Sequence, residues 1–204
     1  MNQDLFVDNL LQKDDGFFLD IGAGTGGIRG QHVSFYSNTY YLEQYREWKG
    51  IAIDYDQEYI DIASKQRSCI CVCEDLLKRN INDILSENNC PEIIDYLSFD
   101  VDDATEKVFG ELDFNKYAFR AITFEHNLFQ AITSVQDHTK EHKEKVKNFH
   151  SYSRKRFKEL GYKLLHADVV LEGYGPVEDW YIKPDLIHNS DSIKTTIFTN
   201  CQEI

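Results

Sequence analysis

Proline is scarce in this sequence, three in 204 residues, so no Pro-rich linker divides it. No segment repeats at solenoid periods, and no tract is of low complexity. No stretch approaches the roughly 18 consecutive apolar residues of a membrane span. The opening residues, MNQDLFVDNLLQKDDG, lack the basic n-region and long apolar run of a secretory signal. Basic residues are outnumbered, 22 Lys and Arg against 35 Asp and Glu, for a formal net charge of −13. An acidic surface repels phosphate backbones, which argues against nucleic acid as a general partner. No CxxC pair occurs among the five cysteines, which argues against a zinc ribbon. Cys69, Cys71 and Cys73 alternate within SCICVCED and so share one face of a strand, where they read as buried, reduced thiols of a cytoplasmic protein.

What is present is enough for a core. A hydrophobic fraction of 42% with 13% aromatics describes one globular domain over 1–204, its core about 16–187. Apolar spacing predicts a short helix in LFVDNLLQ and a buried strand in GFFLDIG. A helix follows in NTYYLEQYREW, with Asn38 as its N-cap, then the strand KGIAIDYD and the helix QEYIDIASKQR. SCICVCED is the third strand, LLKRNINDILSENN a helix, IIDYLSFDVDD the fourth strand, ATEKVFGELDF a helix and FRAITFEHN the fifth strand. A long helix runs from about Gln136 to Leu160 and stops at Gly161; YKLLHADVVL and EDWYIKP form a closing hairpin around EGYGP. A last strand is expected in KTTIFT. This alternation predicts an α/β, Rossmann-like, mostly parallel sheet with helices on both faces and an antiparallel strand at its end. Ligands of such sheets sit beyond the carboxyl ends of the strands, so the strand-terminal acids should share one rim.

The Gly-rich turn FFLDIGAGTGGIRG fits two patterns. Gly22, Gly24 and Gly27 match GxGxxG, the dinucleotide fingerprint; Asp20, Gly22, Gly24 and Gly26 match DxGxGxG, the pattern of S-adenosylmethionine (SAM) sites. A dinucleotide presents a pyrophosphate to this turn, beside which Asp20 is poorly placed. SAM presents an ammonium and a sulfonium, which suit an acid, so Asp20 favours SAM over NAD. Gly22, Ala23 and Gly24 would form the cradle, with Asn38 and Thr39 beside it. Asp54 ends the second strand where ribose hydroxyls bind, with Tyr55 next to it. Glu74 and Asp75 end the third strand; Asp75 can accept from an adenine amino group or cap the following helix.

Methyl transfer to a hydroxyl needs a base or a metal that lowers the hydroxyl pKa. SFDVDD supplies Asp100, Asp102 and Asp103; FEHN supplies Glu125, His126 and Asn127. Asp100 and His126 are the candidates for activating the acceptor, assisted by Glu125. Asp100, Glu125 and His126 are also candidate ligands for Mg²⁺ or another divalent cation. Asp102 or Asp103 can equally cap the following helix. His138 and His142 share a helix face but lack the HExxH glutamate. Trp48 and Trp180 read as packing residues, and Tyr40, Tyr41 and Tyr45 as a helix face beside the site. From His138 to Lys158 stand eight Lys or Arg and two acids, a solvated helix face or a basic patch for an anionic substrate.

With these residues placed, the chain resembles FkbM-type SAM-dependent methyltransferases over roughly Gly16 to Ile187. The likeness rests on FFLDIGAGTG, SNTYYLEQYREWKGIAIDYD, IDYLSFDVDDATEKVF, ITFEHN, and SRKRFKELGYKLL followed by EDWYIKPDLI. It implies a class I fold with a seventh, antiparallel strand, SAM as cofactor, and O-methylation of sugars in glycan or polysaccharide biosynthesis. Where the family commonly shows Asp-Val-Glu-Gly, this chain has Asp100-Val101-Asp102-Asp103: the third acid is kept and the glycine is not. The resulting expectation is a cytoplasmic O-methyltransferase acting on a sugar hydroxyl, as of a nucleotide sugar, its oligomeric state open with a homodimer included. The competing readings are methylation of an amine or phosphoramidate on a glycan and a non-catalytic SAM-binding protein.

Overall fold

The computed structural model describes residues 2–24, 37–133 and 138–187. Its strands are β1 (Phe17–Ile21), β2 (Lys49–Asp54), β3 (Ile70–Cys73), β4 (Ile93–Phe99), β5 (Ala118–Glu125), β6 (Lys163–Leu171) and β7 (Gly175–Ile182). They form one sheet in the order β3-β2-β1-β4-β5-β7-β6. The first five run parallel, β7 is antiparallel to β5, and β6 pairs antiparallel with β7. The expected mostly parallel seven-stranded sheet with antiparallel C-terminal pairing is therefore present. The strand order reverses between β1 and β4, which opens the crevice beyond their carboxyl ends.

The helices are α1 (Gln3–Leu11), α2 (Tyr40–Arg46), α3 (Gln57–Gln66), α4 (Ile81–Glu87), α5 (Thr105–Glu111), α6 (Phe129–Ile132) and α7 (Lys140–Glu159). Side chains alternate across each strand, so each face of the sheet buries its own set. Leu19, Ile21, Leu97, Phe99, Ile122 and Phe124 pack with Val108 and Phe109 of α5 and Phe157 of α7. On the opposite face Phe18, Tyr96 and Ala121 pack with Phe6 and Val7 of α1 and Leu42 of α2. Trp48 and Trp180 are buried in this second set, as packing residues.

Several boundaries differ from the sequence expectation. α2 starts at Tyr40 after Thr39, and Asn38 is not its cap; the Asn38 amide instead donates to Ser98 Oγ at 3.1 Å. The helix expected from Leu76 begins only at Ile81, because the Asn80 side chain accepts from Asn82 N–H and caps it there. β4 ends at Phe99, and a 3-10 turn, Asp102–Ala104, leads into α5. The long helix starts at Lys140, where Thr139 Oγ1 accepts from His142 N–H, and α6 precedes it. Gly161 follows α7 at φ +82°, the left-handed position a helix stop requires. Gly26, Gly27 and KTTIFT lie outside the described residues.

Candidate functional site

The carboxyl ends of β1, β2, β4 and β5 bring the predicted acids to one rim. The chain turns sharply after β1 at Gly22, φ +79°. Gly22 N–H and Ala23 N–H both donate to the Ile53 carbonyl, at 2.9 and 3.1 Å. A Cβ on Gly22 would lie 1.4 Å from the Asp100 carbonyl oxygen, so only glycine passes between β1 and β4 here. A Cβ on Gly24 would lie 2.6 Å from Asp54 Oδ2, which brings the turn against the end of β2. Asp54 is buried; one carboxylate oxygen accepts from Asp56 N–H at 2.8 Å, and burial pushes its pKa up.

Asp20 sits beneath this turn in a network that the sequence did not disclose. Thr39 Oγ1 donates to Asp20 Oδ2 at 2.7 Å. Arg67, at the end of α3, donates to Thr39 Oγ1 at 2.7 Å and to Glu43 Oε2 at 2.8 Å, and lies 3.7 Å from Asp20 Oδ2. Its guanidinium also stands over the Phe18 ring, 5.3 Å from the centroid. Glu43 Oε1 accepts from Ser68 N–H, Ser68 Oγ–H and Cys69 N–H. Arg67 and Glu43 carry no local motif; they meet Asp20 only because α2 and α3 pack on the same face of β1 and β2.

Oxygens of Asp100, Asp102 and Glu125 lie within 4.8 Å of one another. Burial of its carboxyl is the main force raising the pKa of Glu125, and that of Asp100 is raised as well although the residue is exposed. Nearby negative charge raises both further: Asp102 and Asp20 act on Asp100, and Asp100, Asp102 and Glu178 act on Glu125. A further acid, Glu178 on β7, is paired in register with Glu125 and is 4% exposed. It accepts from Trp180 Nε1 at 2.8 Å and Gln3 Nε2 at 3.4 Å, yet burial pushes its pKa up to about 7. The folded protein therefore holds this proton between pH 4.5 and about 7 while the unfolded chain has released it. Stability from this group is present below that window and lost as pH rises through it. Glu178→Gln should accordingly raise the melting temperature at pH 8, by on the order of 3 kcal/mol in stability, and change little at pH 4. Equal effects at the two pH values would refute the assignment.

His126 does not join Asp100 and Glu125. Successive strand residues face opposite ways, so Glu125 turns to the rim and His126 to the α7 side. Its side chain is fully buried; Nδ1 accepts from Leu128 N–H at 3.1 Å, and Nε2 lies 3.5 Å from Asp179 Oδ1. His150 of α7 packs edge-on against it, with ring centroids 4.5 Å apart. Arg154 supplies the cation of this cluster, donating to both oxygens of Asp179 at 2.6 and 2.7 Å and lying 2.9 Å from Asp168 Oδ1. The ligand set written from sequence as Asp100, Glu125 and His126 is thus divided by the sheet, and Asp102 takes the third place.

The end of β3 is arranged for turns and ion pairs. Asp75 accepts from Leu77 N–H at 2.9 Å and pairs with Lys78 at 2.7 Å, which holds its carboxyl low. It caps the turn before α4 rather than α4 itself. Glu74 pairs with Arg79, and Tyr55 is exposed beside Asp54. Tyr41 packs against the core with its hydroxyl near Asp8, whereas Tyr45 is exposed. The basic stretch is partly consumed by Lys145–Glu106 and by Arg154 with Asp168 and Asp179. His142 Nε2 is 2.8 Å from Gln130 Oε1 and stacks on His138. A shallow concavity of about 430 Å³ between α5 and α7, lined by Glu106, Glu144 and Phe149 among others, includes none of the rim acids.

No protein-family model matches the chain. No curated protein matches it either. Solved structures do. A TehB-like SAM-dependent methyltransferase from Corynebacterium glutamicum is 15% identical over 89% of this chain and 87% of its own, with a TM-score of 0.49. The plantazolicin methyltransferase BpumL, solved with S-adenosylhomocysteine, is 15% identical over 89% and 82%, with a TM-score of 0.44. A SAM-dependent methyltransferase from Archaeoglobus fulgidus is 13% identical over 88% and 93%, with a TM-score of 0.44.

Proposed function

We propose that this chain is a SAM-dependent O-methyltransferase of the FkbM type whose acceptor is a sugar hydroxyl, as of a nucleotide sugar or glycan precursor. The observation that carries the reading is the meeting of Gly22, Gly24, Asp54, Asp100 and Glu125 at the carboxyl ends of β1, β2, β4 and β5, at the switch point of the sheet. The residues fit the cofactor: a glycine turn too tight for any side chain at Gly22 and a buried carboxylate at the end of β2 for a ribose diol, with Asp20 supporting the turn from beneath through Thr39 and Arg67. Bound SAM would supply an electrophilic methyl group, which an acceptor oxygen takes in line with the departing thioether. Asp100, exposed at the rim, is the base that takes the hydroxyl proton. Asp100, Asp102 and Glu125 also fit a hard cation, being an all-oxygen set with Glu125 Oε2 buried and unpartnered, and would hold Mg²⁺ against the acceptor. Among the described residues no helix is long and apolar enough to cross a membrane, in keeping with a cytoplasmic, small-molecule enzyme.

Calorimetric titration with SAM and S-adenosylhomocysteine, with NADH as control and each with and without Mg²⁺, tests the cofactor. Micromolar binding of the SAM pair alone is expected. A mass-spectrometric screen of nucleotide sugars with SAM then tests the acceptor. Binding of NADH in place of SAM would overturn the reading, and methylation of amines but no hydroxyl would overturn its sugar part.

A further inference from the structure

Cys69, just before β3, and Cys71 and Cys73 within it have no part in the rim. Cys69, Cys71 and Cys73 are free thiols, and all three lean on the same small core of Tyr59, Ile60 and Ala63 under α3. They are half-buried rather than buried, because β3 is an edge strand with no neighbour beyond it. Two of them converge: Cys69 Sγ and Cys71 Sγ are 4.0 Å apart. Cys69 lies in the bend just before β3 and Cys71 within the strand, so the approach of the sulfurs depends on the turn that leads into β3. Among the described residues their thiols make one further, weak polar contact, Cys71 Sγ lying 3.8 Å from the Cys69 carbonyl.

We propose that Cys69 and Cys71 form a binding site for a soft, thiophilic metal ion of the Cu⁺ class. With metal–sulfur bonds of about 2.3 Å, sulfurs at the observed spacing subtend roughly 120° at a shared ion, the angle of a three-coordinate soft-metal site whose third position is left for an external thiol. The pair carries no oxygen donor that would favour Mg²⁺ or Ca²⁺, and thiolates select soft ions over these. The site is reached from the open edge of the sheet. It is independent of the methyl-transfer reading, since it uses none of the rim residues.

The test is anaerobic competition for Cu⁺ against a chromophoric chelator, using the reduced full chain. The wild type should withdraw one Cu⁺ from the chelator through this pair. Cys69→Ser and Cys71→Ser should each weaken that binding at least tenfold, whereas Cys90→Ser, on the far side of the sheet, should leave it unchanged. Should the serine variants fold poorly, alkylation of the wild type mapped by mass spectrometry gives the same answer. Cu⁺ should then shield Cys69 and Cys71 but leave Cys90 reacting as in the metal-free protein. No withdrawal by the wild type, withdrawal by the serine variants undiminished from that of the wild type, or absence of selective shielding would overturn the proposal.

Discussion

Arg67→Met is expected to lower the unfolding free energy by about 3–5 kcal/mol. Arg67 has no exposed side-chain surface, and it faces two carboxylates, Glu43 at 2.8 Å and Asp20 at 3.7 Å, both buried. Methionine fills much the same volume but removes the charge, leaving both acids uncompensated in a low-dielectric interior. The loss also frees Thr39, which Arg67 and Asp20 hold between them. Urea unfolding followed by circular dichroism measures the effect directly. The double variant Arg67→Met/Glu43→Gln should recover part of the loss, because one stranded charge is removed with its partner. A single-variant loss under about 1 kcal/mol would mean that the network is screened by solvent and does not organise the floor of the rim. The same substitution should weaken SAM binding, since Asp20 is positioned by this cation.

On the methyl-transfer reading, Asp100→Asn should reduce turnover by about 10²- to 10⁴-fold while SAM affinity is kept. Asparagine preserves shape but cannot take a proton, and the Gly22 turn, which packs on the Asp100 backbone carbonyl, is untouched. Turnover by mass spectrometry and affinity by calorimetry separate the two quantities. The raised pKa values of Asp100 and Glu125 add a pH signature. The proton-accepting form grows as pH rises beyond the ordinary carboxylate range, so kcat should climb with pH and the variant's residual rate should not follow it. Full turnover by Asp100→Asn would remove the base from this position.

Legibility varied from element to element for physical reasons. The strands of the central sheet were readable because each is a short apolar run bounded by Gly, Pro or acids, and the alternation with helices leaves few topologies. Helix starts were less readable. Asn38 and Asn80 are both chemically suited to cap; Asn80 does so, while Asn38 reaches across to Ser98 on β4. His126 shows the same limit at the site. Its place between Glu125 and Asn127 suggested a shared centre, but neighbours on a strand are the two residues that the sheet separates most surely.

The sequence by itself determined which acids end which strands, where only glycine can turn, and that the sheet is mostly parallel with an antiparallel close. These are matters of local period and backbone sterics, and they need no partner. The tertiary structure alone decided that Arg67 pairs with Glu43 and stands beside Asp20, that Glu178 stands beside Glu125, that Arg154 is the cation beside His126, and that the Cys69 and Cys71 thiols meet at 4.0 Å. Each depends on strand register, helix packing or rotamer choice between distant segments. A one-residue change of register or a turn of a helix would have reassigned every one of those partners while leaving the sequence pattern intact.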